Sequence, residues 1–383
     1  MNTLRKNKMN AKKFYLTLVP TNECGLACEY CYTINNINDK TRIKFDDITK
    51  IIKIISQKNN NIEILFIGGE PTSVGYKYFN KIMITLIDIK EKNNLNLNFV
   101  IQTNGILLNE SWIKLFKKYD FRVGVSFDSF NSNVEHHRPK SIKVEKNIQL
   151  LQKYKVNFSI LSVFNNETIN DLLDNYALMN KLKYNYKILP MNDNGYIEEK
   201  YKLKFDEENY QKIEIFAKKW LYDTSCVIQM RSFHSIFYTL LIQEIPLCNS
   251  CIENRVSIRP DGSLFPCGRP FDDKYKVGHI NDIEDFSQFQ NNDGYKNLIN
   301  LKIDKVNNCL GCKYFNICNG GCVSNNILDN SYSEANGFYC KYTIMVLDVF
   351  TPLVNTLKKD ISNGKIDKYN PMLINDLKMK GLI

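Results

Sequence analysis

The sequence predicts an α/β fold. Six βα units would form a parallel sheet, curved into part of a barrel or open and doubly wound, with a smaller cysteine-rich region after it. Three observations predict it. Six short β-rich runs recur between residues 14 and 191, most of them nearly continuous apolar stretches, as expected of strands covered on both faces. Segments with helical spacing lie between them, at the period of a βα unit. Eleven of the twelve cysteines fall in two groups, residues 24–31 and 248–340.

The elements follow in order. FYLTLVP (14–20) opens the sheet, and FDDITKIIKIISQ (45–57) reads as a helix with Asp46 at its N-cap. IEILFIGGE (62–70) and LNFVIQTNG (97–105) are the second and third strands. NESWIKLFKKY (109–119) is a helix capped by Asn109. FRVGVSFD (121–128) and VNFSILSVFN (156–165) are the fourth and fifth strands. Asn165 and Asn166 sit where a cap belongs before ETINDLLDNYALMNKLK (167–183), and YNYKILPM (184–191) is the sixth strand. Residues 192–247 read as helical and connecting. VSIRPDGSLFPC (256–267) reads as a hairpin around Asp261-Gly262. YTIMVLDVFTPLVNTLKKDI (342–361) has amphipathic spacing and is expected to pack back on the body. The expected divisions are a leader at 1–13, the parallel sheet unit at 14–210, a helical connector at 211–247, a cysteine-rich unit at 248–345 and a helical tail at 346–383.

The chain has 383 residues, 44% of them hydrophobic, enough to bury a sizeable core. No apolar run reaches transmembrane length. The N-terminus, MNTLRKNKMNAKK, lacks the apolar stretch of a signal peptide, so a cytoplasmic protein is expected. The net charge of +10 is dispersed, without a basic block or recognition motif, which argues against nucleic acid as a partner. In a cytosolic chain of this size, clustered thiols point to metal or redox chemistry rather than disulfides.

In parallel sheets, chemistry gathers at the C-terminal ends of the strands. Here those ends carry Pro20-Thr21-Asn22, then Gly68-Gly69-Glu70-Pro71, Gln102-Thr103-Asn104-Gly105, Ser126 with Asp128, and Pro190-Met191-Asn192. The first runs into CGLACEYC, with Cys24, Cys28 and Cys31. Structural zinc wants four ligands, and no fourth Cys or His is near; the nearest histidine is His136. A [4Fe–4S] cluster has four iron corners, so three thiolates leave one corner open.

This C-x3-C-x2-C loop after a first strand resembles that of the radical S-adenosylmethionine (SAM) enzymes. The resemblance implies a partial (β/α)6, TIM-like barrel. It implies a cluster on Cys24, Cys28 and Cys31 whose open iron takes the amino and carboxylate groups of SAM, leading to abstraction of a substrate hydrogen. By the same resemblance Tyr30 lies beside the adenine, and the turn Gly68-Gly69-Glu70-Pro71 offers its backbone to the SAM amino group. Ser126 and Arg138 then lie near the ribose and carboxylate. Gln102, Thr103, Asn104, Asp128 and Leu189 are further candidates for the same pocket. His136 and His137 are expected in a solvated loop.

The second cysteine group contains CLGCKYFNICNGGC, which is C-x2-C-x5-C-x3-C, preceded by Cys251, Gly262 and Cys267 and followed by Cys340. It resembles the SPASM extension of radical SAM proteins, which holds two auxiliary [4Fe–4S] clusters. The resemblance implies one cluster on Cys309, Cys312, Cys318 and Cys340, and another on Cys248, Cys251, Cys267 and Cys322. The rival is a zinc ribbon with knuckles at 248/251 and 309/312. Cys226 falls outside the scheme: an inert buried thiol, or a hydrogen-atom donor near the substrate, which makes it the one catalytic candidate.

The function implied by this resemblance is radical modification of a peptide or protein, foremost maturation of a ribosomally made peptide by cross-linking or epimerisation. The alternative is an anaerobic sulfatase-maturing enzyme that forms formylglycine; that family has an Asp directly after the cysteine of G-x4-C, where this chain has Gly268. A non-catalytic zinc-binding protein is the third reading. Expected partners are the substrate, an electron donor such as flavodoxin or ferredoxin, and a separate leader-binding protein, since residues 1–13 leave no room for a leader-binding domain. Neither nucleic acid nor membrane is expected as a partner.

Overall fold

The computed structural model describes residues 13–129, 137–191, 198–243, 252–269, 272–332 and 334–383. The six predicted strands form: β1 (Phe14–Leu18), β2 (Asn61–Phe66), β3 (Asn96–Thr103), β4 (Arg122–Ser126), β5 (Asn157–Phe164) and β6 (Asn185–Pro190). They pair in parallel, in sequence order. Between them run α1 (Phe45–Ser56), α2 (Tyr76–Lys92), α3 (Glu110–Lys118), α4 (Ser141–Lys153) and α5 (Leu172–Leu182). Each helix turns an apolar stripe onto the sheet, such as Ile48, Ile51, Ile52 and Ile55 of α1.

Helices cover only one face. In β2, Ile62, Ile64 and Phe66 are buried while Asn61, Glu63 and Leu65 are half-buried, and β3, β4 and β6 alternate likewise. The expectation of strands covered on both faces is therefore corrected. The inner face carries Glu63, Gln102, Arg122, Ser126, Ser159 and Lys187 among apolar residues, and it lines an open lumen.

The sheet does not end at β1. Strand β7 (Arg255–Ile258) pairs with it in parallel, Tyr15 beside Arg255 and Leu18 beside Ile258. β8 (Ser263–Phe265) returns antiparallel, as the Asp261-Gly262 turn predicts, and β9 (Gly278–His279) completes nine strands. Gly262 has φ +85°, and a Cβ there would lie 2.8 Å from His279 Nε2. The sheet is unclosed, with β6 and β9 as its edges. It is also curled. Laid flat, β6 and β8 would stand about 34 Å apart, yet Lys187 of β6 feels the charge of Arg269, just after β8.

A helical layer completes the body: α6 (Glu207–Leu221), α7 (Arg231–Ile242), α8 (Ser287–Asn291), α9 (Asp293–Asn308), α10 (Phe315–Cys318), α11 (Val323–Leu328), α12 (Phe338–Ser362) and α13 (Pro371–Met379). Trp220, Phe233, Phe237 and Phe350 pack edge-on or tilted and tie α6, α7 and α12 together. Helix α12 runs unbroken through residues 345 and 346, where a unit boundary was expected. Among the described residues no helix is long and apolar enough to cross a membrane.

Two local expectations change. Asp46 is not the cap of α1; Lys44 holds that position in extended backbone, and Asp46 sits in the first turn, favourable to the helix dipole. Asn109 caps α3 as expected, accepting from the backbone N–H of Ser111 and Trp112. Cys226 is 1% exposed, with its thiol donating to the Ile228 carbonyl beside Tyr176 of α5. It lies in the packed core rather than on the lumen wall, so its hydrogen-donor reading is withdrawn. Cys226→Ala is expected to cost about 1 kcal/mol in a urea titration and to leave iron content and SAM cleavage unchanged. Loss of turnover in a well-folded variant would restore a chemical role.

Candidate active site at the strand ends

The loop after β1 is held by its neighbours' backbones. Gly69 N–H donates to Thr21 O, Glu70 N–H to Glu23 O, and Cys24 N–H to Ile37 O. A Cβ on Gly69 would lie 2.0 Å from Asn22 O, and one on Gly68, at φ +139°, would lie 2.6 Å from Thr21 O. The glycines therefore let the turn after β2 press against the cysteine loop. The sequence suggested closeness to a ligand; the structure shows closeness of one loop to another.

Glu70 fastens this arrangement. Its carboxylate is fully buried and accepts from Thr72 N–H, Thr72 Oγ1, Thr103 Oγ1 and Asn104 N–H, at 2.6–3.0 Å. Burial raises its pKa, and the donors work against that rise. Its acceptors are engaged inside the protein, so Glu70 and Thr103 position the site. Asn104 reaches it: its side-chain amide lies 3.7 Å from Cys24 Sγ. Cys24, Glu70 and Asn104 share a cavity of about 570 Å³ at the rim.

On the other side of the loop, Tyr30 and Arg138, both half-buried, form a triad with the buried Asp128. Tyr30 OH donates to Asp128 Oδ2, and Arg138 Nε donates to both, at 2.9 and 3.1 Å. Asp128 Oδ1 accepts from Val163 N–H. Arg138 is thus no surface arginine. His137 overturns the solvated-loop expectation: it is 1% exposed, with Nδ1 2.8 Å from the Glu29 carboxylate and Nε2 3.1 Å from Asn165 Nδ2. The amide donates to Nε2, so Nδ1 carries the proton and donates to Glu29. The residue pins the cysteine loop to the end of β5. His136 lies outside the described residues.

Deeper in the lumen, Gln102 Nε2 donates to Ser126 Oγ at 2.8 Å and lies across Gly124, where a Cβ would meet Gln102 Oε1 at 2.2 Å. Leu189 faces inward on β6 beside Val163. Of the described residues expected beside SAM, Tyr30, Glu70, Thr103, Asn104, Asp128 and Arg138 stand around the cysteine loop, while Gln102, Ser126 and Leu189 lie deeper on the inner face.

The second cysteine group surrounds a cavity of about 60 Å³ lined by Cys309, Cys312, Cys318, Cys322 and Cys340. Glycines at φ +71° and +72° (Gly320, Gly321) bend the chain around it, and Lys302 Nζ donates to the Asn319 and Gly321 carbonyls. Burial, then the nearby Cys340, Cys309 and Cys312, push the Cys318 thiol up to about 11. Cys267 ends the hairpin; Cys248 and Cys251 lie outside the described residues. Among the described residues, no three Cys, His, Asp or Glu side chains stand close enough for one metal ion. Thiols spread around a void fit a cubane cluster; the first knuckle of the rival zinc ribbon, Cys248 and Cys251, lies outside the described residues.

Residues 18–179 match the Radical SAM superfamily, and residues 248–313 match SPASM, an iron-sulfur cluster-binding domain. The chain is a radical SAM enzyme with a SPASM domain. It uses SAM with a [4Fe–4S] cluster, which Cys24, Cys28 and Cys31 would hold and which would supply hydrogen-atom abstraction, and it carries auxiliary clusters, which the second cysteine group would hold. Among its relatives is a cysteine-type anaerobic sulfatase-maturating enzyme of Clostridium novyi, 28% identical over 80% of this chain and 86% of that one. Another is the radical SAM cyclopropyl synthase TigE of Paramaledivibacter caminithermalis, 25% identical over 91% and 76%. Among solved structures, native anSMEcpe with bound AdoMet and Cp18Cys peptide matches with TM-score 0.78 and 25% identity, over 91% of this chain and 99% of that one.

Two outcomes follow. Burial pushes the Cys28 thiol, like that of Cys318, up to about 11. Ligation requires thiolate, so cluster assembly on the apoprotein releases protons, and its rate should rise between neutral and mildly alkaline pH, read as iron-sulfur absorbance. Glu70→Gln places an amide donor against donors. It should cost about 2–4 kcal/mol and lower iron content by the share of the N-terminal cluster, whereas unchanged iron would show that the carboxylate does not position the loop.

Proposed function

We propose that this enzyme oxidises a cysteine side chain of a peptide or protein to formylglycine, as a sulfatase-maturing enzyme. One observation carries the reading: near full-length similarity to cysteine-type sulfatase-maturating enzymes, joined to the fold of a peptide-bound relative. Overall the Cβ–SH unit would lose one hydrogen atom to the SAM-derived adenosyl group, one proton to a base and one electron to an auxiliary cluster; water would then replace sulfur, which leaves as sulfide. An electron donor such as flavodoxin or ferredoxin would serve it in the cytoplasm. Maturation of a ribosomal peptide by cross-linking or epimerisation is the second reading, favoured by the similarity to TigE over most of the chain. It would call for a separate leader-binding protein.

Gly268 separates this chain from the resemblance. A Cβ there would lie 2.5 Å from Thr17 Cγ2 and 2.8 Å from Ile67 Cδ1, so the wall admits no side chain at that point as it is packed. Asp272 and Asp273 do not replace the missing carboxylate: Asp273 opens a short 3-10 turn, and the Lys274 ammonium lies 3.5 Å from the carboxylate of Asp272. A proton acceptor must come from elsewhere on the lumen or from the substrate.

The test is anaerobic incubation of the reconstituted enzyme with SAM, reductant and a cysteine-bearing sulfatase peptide. The expected outcome is an aldehyde product, trapped by a hydrazine and located by mass spectrometry, with 5′-deoxyadenosine formed alongside. A product lacking two hydrogens but keeping its sulfur would favour the cross-linking reading. Unchanged mass with solvent deuterium uptake would favour epimerisation.

A further inference from the structure

The lower lumen holds a second cavity, of about 210 Å³, between β4, β5, β6 and the start of α7. Gln102, Ser159, Asn185, Gln229, Lys187 and Arg231 give it a polar lining. Lys187 stands on the inner face of β6, in register with Leu161 and one layer beneath Leu189. Arg231 opens α7, and the loop before it is tied to β6 by Tyr186 N–H donating to Gln229 O. Arg269, beyond the hairpin, approaches from the opposite wall closely enough to act on Lys187.

These cations are not matched by anions. Neither Lys187 nor Arg231 makes an ion pair or hydrogen bond with another described residue. Arg122 shares the cavity, but its charge is engaged by Glu63 at 2.5 Å, and Lys13 takes the same carboxylate at 3.0 Å. The Lys187 and Arg231 side chains both keep solvent contact, yet like charges that face one concave space repel. Desolvation, followed by Arg269 and Arg231, accordingly lowers the pKa of Lys187. A surface cluster would be relieved by water and salt; a lumen wall is relieved by an anion that enters it.

We propose that Lys187 and Arg231 form a carboxylate-binding subsite that seats an acidic group of the substrate peptide below the reacting residue. A guanidinium offers two parallel donors to a carboxylate, and the lysine a third from the adjoining strand. The anion comes either from an Asp or Glu side chain of the peptide or from its C-terminal carboxylate. The inference rests on the reading that the substrate is a peptide entering the lumen, and it adds that this peptide is acidic near its reacting residue.

The experiment uses the reconstituted holoenzyme, immobilised under anaerobic conditions, and a synthetic cysteine-centred peptide library. Each flanking position carries Glu, Gln or Lys, and the C-terminus is either free or amidated. Captured peptides are read by mass spectrometry before turnover. Acidic members should be enriched about tenfold or more over their Gln counterparts. Enrichment at one flanking position assigns a side chain, and enrichment of free over amidated ends assigns the C-terminus. K187Q and R231Q should each weaken the preference, and K187E should turn it toward Lys-bearing peptides; iron content and thermal melting confirm that each variant folds. Equal capture, no capture, or a preference untouched by all three variants overturns the subsite. Oxidation of neutral and acidic peptides alike would sink it while sparing the proposed reaction, and acid-selective capture without aldehyde formation would do the reverse.

Discussion

A single buried carboxylate organises the mouth of this protein. Glu70 is 1% exposed, so the donors around it must stay in place or the burial becomes costly. Those donors come from the turn after β2 and the end of β3, while the backbone of Glu70 is bonded to the cysteine loop after β1. Three strand ends are thereby made one unit. The glycines before it act in a complementary way, by removing the side chains that would hold the loops apart. A cysteine loop held in this way is shaped by packing before any iron arrives, which reduces the ordering cost of assembling a cluster.

The sheet explains how the two cysteine groups come to share one molecule. Without β7, β1 would be an edge, with unpaired backbone groups beside the loop that matters most. Pairing β7 to β1 removes that edge and carries Cys267, Gly268 and Arg269 to the lumen wall on the return of the hairpin. The auxiliary-cluster region is thus an extension of the same sheet, and helix α12 links its last cysteine, Cys340, to the aromatic layer under α6 and α7. Distance between the two groups in sequence is converted to proximity by a single strand pairing.

What the sequence made legible was local. Apolar runs marked the strands because each buries at least one face against helices. C-x3-C-x2-C and its neighbours were visible because they are contiguous. What it hid was long-range. His137 reads as a loop residue because its partners, Glu29 and Asn165, stand 108 and 28 positions away. The β7–β1 pairing joins residues some 240 positions apart, and nothing in either strand alone selects the other. Asp46 failed as a cap for a different reason: a cap is defined by extended backbone, and Lys44, with no capping side chain, adopts it. The alternation of β2 to β6 was masked by Leu65, Val100, Leu161 and Leu189, apolar residues placed on an inner face that water and ligands reach.

The lumen's chemistry follows from where side chains are lacking as much as from where they are present. At Gly268 the wall is flush against Thr17 and Ile67, and no acid projects from it. Opposite, Lys187 and Arg231 project without acidic partners among the described residues. Arg269, the next residue along that wall, adds a further positive charge near Lys187. With glycine at 268, the positive potential is left to the contents of the lumen. If the proposed carboxylate subsite holds, that potential is what an acidic peptide group would meet on entering. Glycine at 268 and the unpaired cations of β6 and α7 together leave these places on the inner wall without an acidic side chain among the described residues.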